Sequence, residues 1–190
     1  MSPLEHLLHR FSRLYPPGNP LQDFLHTHTR VYELPPRHVL LEEGTTCRKI
    51  YFIHSGFARA CYFNDGKEVT AWFMGEGDVI ISVYSFFTQT PGAERIELLQ
   101  DSTLVSLSYE RLQEAYRLFP EFNVIGRRLT EHYYILSEAR AIGLRMLHAK
   151  ERYNRLLDQY PSVLQNASLG QIASYLGITQ ETLSRIRRRK

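Results

Sequence analysis

The sequence predicts an α+β chain, an antiparallel β domain of short strands followed by a helical region. Three observations predict it. Between residues 31 and 108, short apolar runs alternate with turn residues. From Tyr109 onward the apolar residues recur with the period of a helix. Residues 168–190 read as two short helices joined by a glycine turn.

At the N-terminus, Leu4, Leu7, Leu8, Phe11 and Leu14 recur at helical spacing and predict a helix over 3–15. The run Tyr15-Pro-Pro-Gly-Asn-Pro20 breaks it, and a second short helix is expected over 21–30. Strands follow at Val31–Leu34, Val39–Leu41, Ile50–Ile53, Phe57–Phe63, Val69–Met74 and Leu104–Leu107. This spacing fits a sandwich, a roll or a barrel. Asp65-Gly66 is the sharpest local signal, because a type I′ hairpin needs positive φ at both central residues.

The helical part begins with a helix over Tyr109–Tyr116. Pro120 then opens a longer one over 120–147, at a position where proline costs little. A heptad frame fits that helix, with Phe122, Leu129, Leu136 and Gly143 at one apolar position and Ile125, His132, Ala139 and Met146 at the other. The frame predicts a homodimer seam; packing on the chain's own β domain is the other reading. A further helix is expected over 148–158, stopped before Pro161.

Charge singles out the C-terminal end. Residues 145–190 carry nine Lys/Arg and three Asp/Glu, a net of +6, while residues 1–144 carry fourteen and seventeen, a net of −3. A basic end on a mildly acidic body points to a polyanionic partner. The start of the chain does not read as a signal peptide, and no window approaches 18 uninterrupted apolar residues. Cys47 and Cys61 are too few for a disulfide scaffold and too far apart for a CxxC site. A reduced cytoplasmic setting is expected. No cofactor and no metal centre is expected; His132 stands alone, and His26 and His28 have no further clustered ligands. Neither a nucleophile–base pair nor a phosphate-binding glycine loop is evident, so no enzyme activity is expected.

The segment S-L-G-Q-I-A-S-Y-L-G-I-T-Q-E-T-L-S-R-I-R-R-R-K, residues 168–190, carries the functional signal. Ser168 and Gln171 form a capping box, Gly177 ends the first helix, and Thr179 caps the second. Ala173 is small where the helices approach, and Leu169, Ile172, Leu176, Ile178, Leu183 and Ile186 fill the angle between them. This is the pattern of a helix-turn-helix. At about 100° per residue from Gln180, the side chains of Ser184, Arg188, Glu181 and Arg185 fall between about 40° and 140°, while Ile186 and Leu183 fall near 240° and 300°. One face docks; the other presents groups that address base edges. Gln180, Glu181, Ser184, Arg185 and Arg188 are the candidate base readers. Arg187, Arg189 and Lys190, with the hydroxyls of Ser168, Thr179 and Thr182 near the helix starts, are the candidate phosphate contacts.

At this point the chain resembles the CRP/FNR superfamily over most of its length. The stretch L-L-E-E-G-T…I-Y-F-I-H-S-G…N-D-G-K-E-V…G-E-G-D, within Leu40–Asp78, is similar to that family's cyclic-nucleotide-binding β-roll, with Gly44, Gly56, Gly66 and Gly77-Asp78 at the strand corners. The long helix resembles the family's dimerisation helix. Gln180-Glu181-Thr182-Leu183-Ser184-Arg185 resembles its E-x-x-S-R recognition motif, more in the manner of the FNR branch, since the CRP branch has an arginine where Gln180 stands. The resemblance implies a β-roll sensor over 1–118, a dimerisation helix over 119–147 and a helix-turn-helix domain over 148–190. The chain as given ends at Lys190, so a truncated wing is expected. It implies a homodimer reading a palindromic operator on double-stranded DNA, with RNA polymerase and a small-molecule effector as further partners. By that match Glu181, Ser184 and Arg185 contact bases.

Two departures are visible. The family's phosphate cassette has a Gly-Glu pair and then Arg-Ser or Arg-Ala; here Ser82-Val83 stand at the first place, and Arg95 lies between Glu94 and Ile96. Ordinary cAMP binding is therefore not expected. Two cysteines cannot hold the FNR branch's iron–sulfur cluster. Ser82, Val83, Glu94 and Arg95, with Tyr133 and Tyr134 on the long helix, remain the candidate effector pocket. The competing reading is a small-molecule-binding β-roll module whose basic tail mediates protein contacts.

Overall fold

The computed structural model describes residues 1–188. Two helices come first, α1 (Pro3–Ser12) and α2 (Asn19–His28). The first has Pro3 in its first turn and a capping box between Ser2 and Glu5. Eight strands follow: β1 (Arg30–Leu34), β2 (Val39–Leu41), β3 (Lys49–Ser55), β4 (Ala58–Asn64), β5 (Lys67–Met74), β6 (Val79–Ile80), β7 (Glu94–Leu98) and β8 (Ser102–Ser108). They form two four-stranded sheets in the orders β1-β8-β3-β6 and β2-β7-β4-β5, and every pairing is antiparallel. A short helix, α3 (Val83–Thr88), sits between β6 and β7.

The β4–β5 hairpin turns at Asp65 and Gly66, with φ of 50° and 75°, as the Asp-Gly signal predicts. Gly56 has φ of 126°, and a Cβ there would lie 2.8 Å from the Cα of Ser102, so only glycine lets these two segments approach.

The helical region comprises α4 (Tyr109–Leu118), α5 (Pro120–Met146), α6 (Ala149–Gln159), α7 (Val163–Asn166), α8 (Leu169–Leu176) and α9 (Gln180–Arg188). The sheets face each other over a core that includes Ile53, Phe86, Ile96, Leu98 and Leu104, closed by Leu21 and Leu25 of α2 and by Phe122 and Ile125 of α5. A second core joins Phe57 and Phe73 of the β domain to Tyr153, Leu156, Tyr160, Val163, Ile172, Tyr175 and Leu183 of the C-terminal helices.

Sequence patterning missed β6, α3, β7 and α7. The strand Glu-Arg-Ile-Glu-Leu has Arg95 and Glu97 on one face and Glu94, Ile96 and Leu98 on the other. The face bearing Arg95 and Glu97 lies under an ion-pair network instead of in water, so its pattern reads as polar loop. The long helix ends within a residue of expectation. Its seam does not survive as read: Phe122 is 3% exposed and Ile125 is fully buried in the chain's own core, so neither is available to a second protomer. Gly143 is buried too, with Leu147 against it.

Candidate nucleic-acid interface

Ser168 begins α8 in two reciprocal hydrogen bonds. Its Oγ accepts from the Gln171 amide at 3.2 Å, and its own amide donates to Gln171 Oε1 at 2.9 Å. Gly177 ends the helix with φ of 65°, and the Ile178 amide donates to the Ala173 carbonyl at 3.0 Å, a helix stop of the Schellman type. One residue later Thr179 Oγ1 accepts from the Thr182 amide at 3.2 Å and starts α9. Leu183 is fully buried and Ile186 packs beside it, against Ile172, Ala173 and Leu176. A Cβ at Gly170 would come within 3.0 Å of Gln180 Nε2, so the start of α9 crosses α8 at close range.

With that face docked, the opposite face is open. Gln180, Glu181, Arg185, Arg187 and Arg188 are exposed, and Ser184 and Thr182 are half-exposed. Arg185 Nη2 reaches Thr182 Oγ1 at 3.4 Å. The Glu181 carboxyl is held below its ordinary range by its own backbone amide and by the Thr179 hydroxyl, so it is an acceptor at neutral pH. Arg189 and Lys190, expected as phosphate contacts, lie outside the described residues.

The helix-turn-helix is not a free appendage. Ser174 of α8 accepts from the Thr70 amide of β5 at 2.9 Å, and its hydroxyl lies 3.4 Å from the Glu68 carbonyl. The Phe73 ring meets Tyr175 at 5.1 Å. From α5, the Arg140 guanidinium lies 3.7 Å from the centre of the Tyr175 ring and donates to its carbonyl at 2.9 Å. Tyr160, just after α6, donates to Asp78 Oδ2 at 3.0 Å, and the Gly75 amide donates to the same oxygen at 2.9 Å. The Tyr133 hydroxyl of α5 accepts from the Val79 amide at 2.8 Å and lies 3.4 Å from Asp78 Oδ1. Burial pushes the Asp78 carboxyl above its ordinary range, and burial beside Asp78 raises the hydroxyls of Tyr133 and Tyr160 as well. Nothing in the local sequence signals this junction.

Along α5, the exposed apolar side chains are only in part the ones the heptad frame selects. Ile135 is 65% exposed, Ile142 50% and Met146 76%, with His132 and Ala139 exposed among them. Leu129 and Leu136 are half-buried on the inner side. His132, Ala139 and Met146 keep their place, but Ile135 and Ile142 replace Leu136 and Gly143. The open stripe is rotated by one residue, because the roll and the C-terminal helices occupy the side the frame assigned to a partner.

Between the two sheets and α5 lies a cavity of about 630 Å³. Val83, Glu94, Tyr133 and Tyr134 line it as expected, together with Tyr62, Trp72, Tyr84 and Phe87, which sequence reading missed. Ser82 and Arg95 do not line it. Ser82 is buried at the start of α3. Arg95 points to the other face of its strand, where Nη1 meets Glu97 at 2.9 Å and Nε meets Glu42 at 3.4 Å. Arg59 bridges Glu68 and Glu97 in the same network. Among the described residues, no three His, Cys, Asp or Glu side chains come together to hold a metal, and no helix is long and apolar enough to cross a membrane.

Residues 31–118 match the family model of the cyclic nucleotide-binding domain. Solved structures match over nearly the whole chain. FixK2 from Bradyrhizobium japonicum has a TM-score of 0.71 at 19% identity, over 84% of this chain and 83% of that one. A transcriptional regulator assigned to the CRP/FNR family from Eubacterium rectale gives 0.70 at 14%, over 90% and 82%. The c-di-GMP-responsive global regulator CLP of Xanthomonas campestris gives 0.66 at 18%, over 90% of each chain. The chain has the CRP/FNR fold. No curated protein sequence matches it.

A CRP/FNR roll with a cyclic-nucleotide-binding-type domain implies a cyclic nucleotide, and the residues present do not fit one. A phosphodiester buried in the roll needs a cationic, preferably bidentate partner. No Arg, Lys or His is among the described residues that line the cavity; the one ionised side chain there is Glu94. The nearby candidate, Arg95, is engaged by carboxylates on the opposite face of β7.

Proposed function

We propose that this chain is a homodimeric, sequence-specific DNA-binding transcription regulator and not an enzyme. The observation that carries the reading is the capped helix pair. It buries Leu183 completely while leaving Gln180, Glu181, Arg185 and Arg188 exposed on one face of α9. Such a face fits the major groove, where arginine donates to guanine and a carboxylate accepts from cytosine. Arg187 and the hydroxyls near the two helix starts supply phosphate contacts. The working division is a sensor over 1–118, a dimerisation helix over 119–147 and a DNA-binding unit over 148–190. A two-fold dimer through the stripe Ile135, Ala139, Ile142 and Met146 calls for a palindromic site with half-sites about one helical turn apart. Contact with RNA polymerase belongs to the same reading.

Selection from a random DNA library, followed by fluorescence anisotropy on the enriched site, tests it. Arg185→Ala is expected to weaken binding by about 1–3 kcal/mol and to relax preference at one base position. Arg187→Ala is expected to weaken binding about equally on all sequences and to lower the salt dependence. An enriched pool without a palindrome, or one unchanged by Arg185→Ala, refutes the reading.

A further inference from the structure

The roll cavity is built for a ligand unlike a nucleotide. Its volume of about 630 Å³ falls within the range of small-molecule sites, about 300–1,000 Å³. Its walls are mainly apolar and aromatic, with Trp72, Tyr84, Phe87 and Tyr134 among them. Tyr84 and Tyr134 are each 70% exposed and Phe87 is 51% exposed, a concentration of large apolar side chains in water around one opening.

Polar recognition converges on one point. Glu94 Oε1 accepts from the Tyr62 hydroxyl at 2.8 Å, and the rest of its carboxylate is free to accept from a ligand. Serine, threonine and tyrosine hydroxyls complete the polar lining, and none of the described lining residues is cationic. A phosphate, sulfonate or carboxylate entering here would lose its water, meet a negative charge and find no counter-charge. A neutral aromatic molecule would lose little hydration, stack against the ring walls and satisfy Glu94 with one N–H or O–H.

We propose that the cavity between the roll and α5 binds a non-anionic, largely apolar aromatic molecule that donates a hydrogen bond to Glu94, in place of a cyclic nucleotide. Whether α9 reads DNA is a separate matter, and the test is made without DNA.

The probe is 1-aminoanthracene, a neutral aromatic amine, titrated into the full chain. Trp72 is the only tryptophan in the sequence and lines the cavity, so energy transfer from it to the probe reports occupancy of this site. Saturable binding in the micromolar range is expected, with quenching of Trp72 and no displacement by excess cAMP or cGMP. Glu94→Leu is expected to weaken the probe about tenfold, the effect of one hydrogen bond to a charged acceptor. Ser137→Phe puts bulk into the cavity from an exposed position on α5, where misfolding is not at issue, and is expected to weaken it at least as much. Absence of saturable binding, displacement by either cyclic nucleotide, or an affinity unchanged by either substitution overturns the proposal.

Discussion

Replacing Ile135 by alanine tests both the dimer and its register. Ile135 is 65% exposed in the single chain, on the outward side of α5. Burying an isoleucine side chain completely stabilises by about 1.5–3 kcal/mol, so burying the exposed 65% at a seam is worth about 1–2 kcal/mol per protomer. A two-fold interface counts the residue twice, so Ile135→Ala is expected to cost about 2–4 kcal/mol of dimer stability, or about 30- to 1,000-fold in dissociation constant. The fold is expected to be nearly unaffected, because the side chain makes little contact within its own protomer. Leu136→Ala is the control: Leu136 faces the cavity, and truncating it is expected to leave the dimer constant unchanged. Sedimentation equilibrium over a concentration series reads both. If Leu136→Ala dissociates the dimer and Ile135→Ala does not, the outward stripe is not the seam. A wild-type chain that stays monomeric at micromolar concentration, with or without DNA, removes the dimer altogether.

Three further outcomes follow from particular contacts. Leu183→Ala, at a fully buried position between α8 and α9, is expected to destabilise the fold by about 2–5 kcal/mol, measured by urea unfolding, and to abolish DNA binding with it. Asp78 has a folded-state pKa above its ordinary value, chiefly through burial, so the folded chain holds its proton longer than the unfolded chain. Its contribution to stability therefore falls as pH rises from the ordinary carboxylate range through the raised value; Asp78→Asn is expected to remove that slope, read as the difference between the two unfolding curves across pH. Tyr160→Phe removes one donor from Asp78 and is expected to cost about 1.5–3 kcal/mol; a melting temperature equal to wild type would show that this bond is not made in solution.

The parts of the molecule legible in sequence are those whose cause is local. The capping box at Ser168, the left-handed Gly177 and the Thr179 cap each act within a few residues, and the structure places all three where the pattern puts them. The Asp65-Gly66 turn is legible for the same reason. In contrast, β7 needs Arg95 and Glu97 to find Glu68 and Arg59 on other strands and Glu42 just past β2. Charges paired across a sheet look the same in sequence as charges in water, and the strand was invisible for that reason.

The seam shows why a correct period is not enough. Apolar residues at 122, 125, 129, 136, 139, 143 and 146, with His132 among them, do form a stripe along α5, and a stripe of that kind says that something covers it. Which body covers it is a non-local question. Near the start of the helix the cover is the roll core around Phe122 and Ile125; farther along, Tyr133 meets Asp78 and Arg140 meets Tyr175. Because α5 serves the roll, the cavity and the C-terminal helices on its inner side, a partner is left with the adjacent stripe through Ile135 and Ile142. Heptad fitting could not separate the two, since they share His132, Ala139 and Met146. The feature that separates them is the glycine at 143: a residue without a side chain adds no apolar area to a seam.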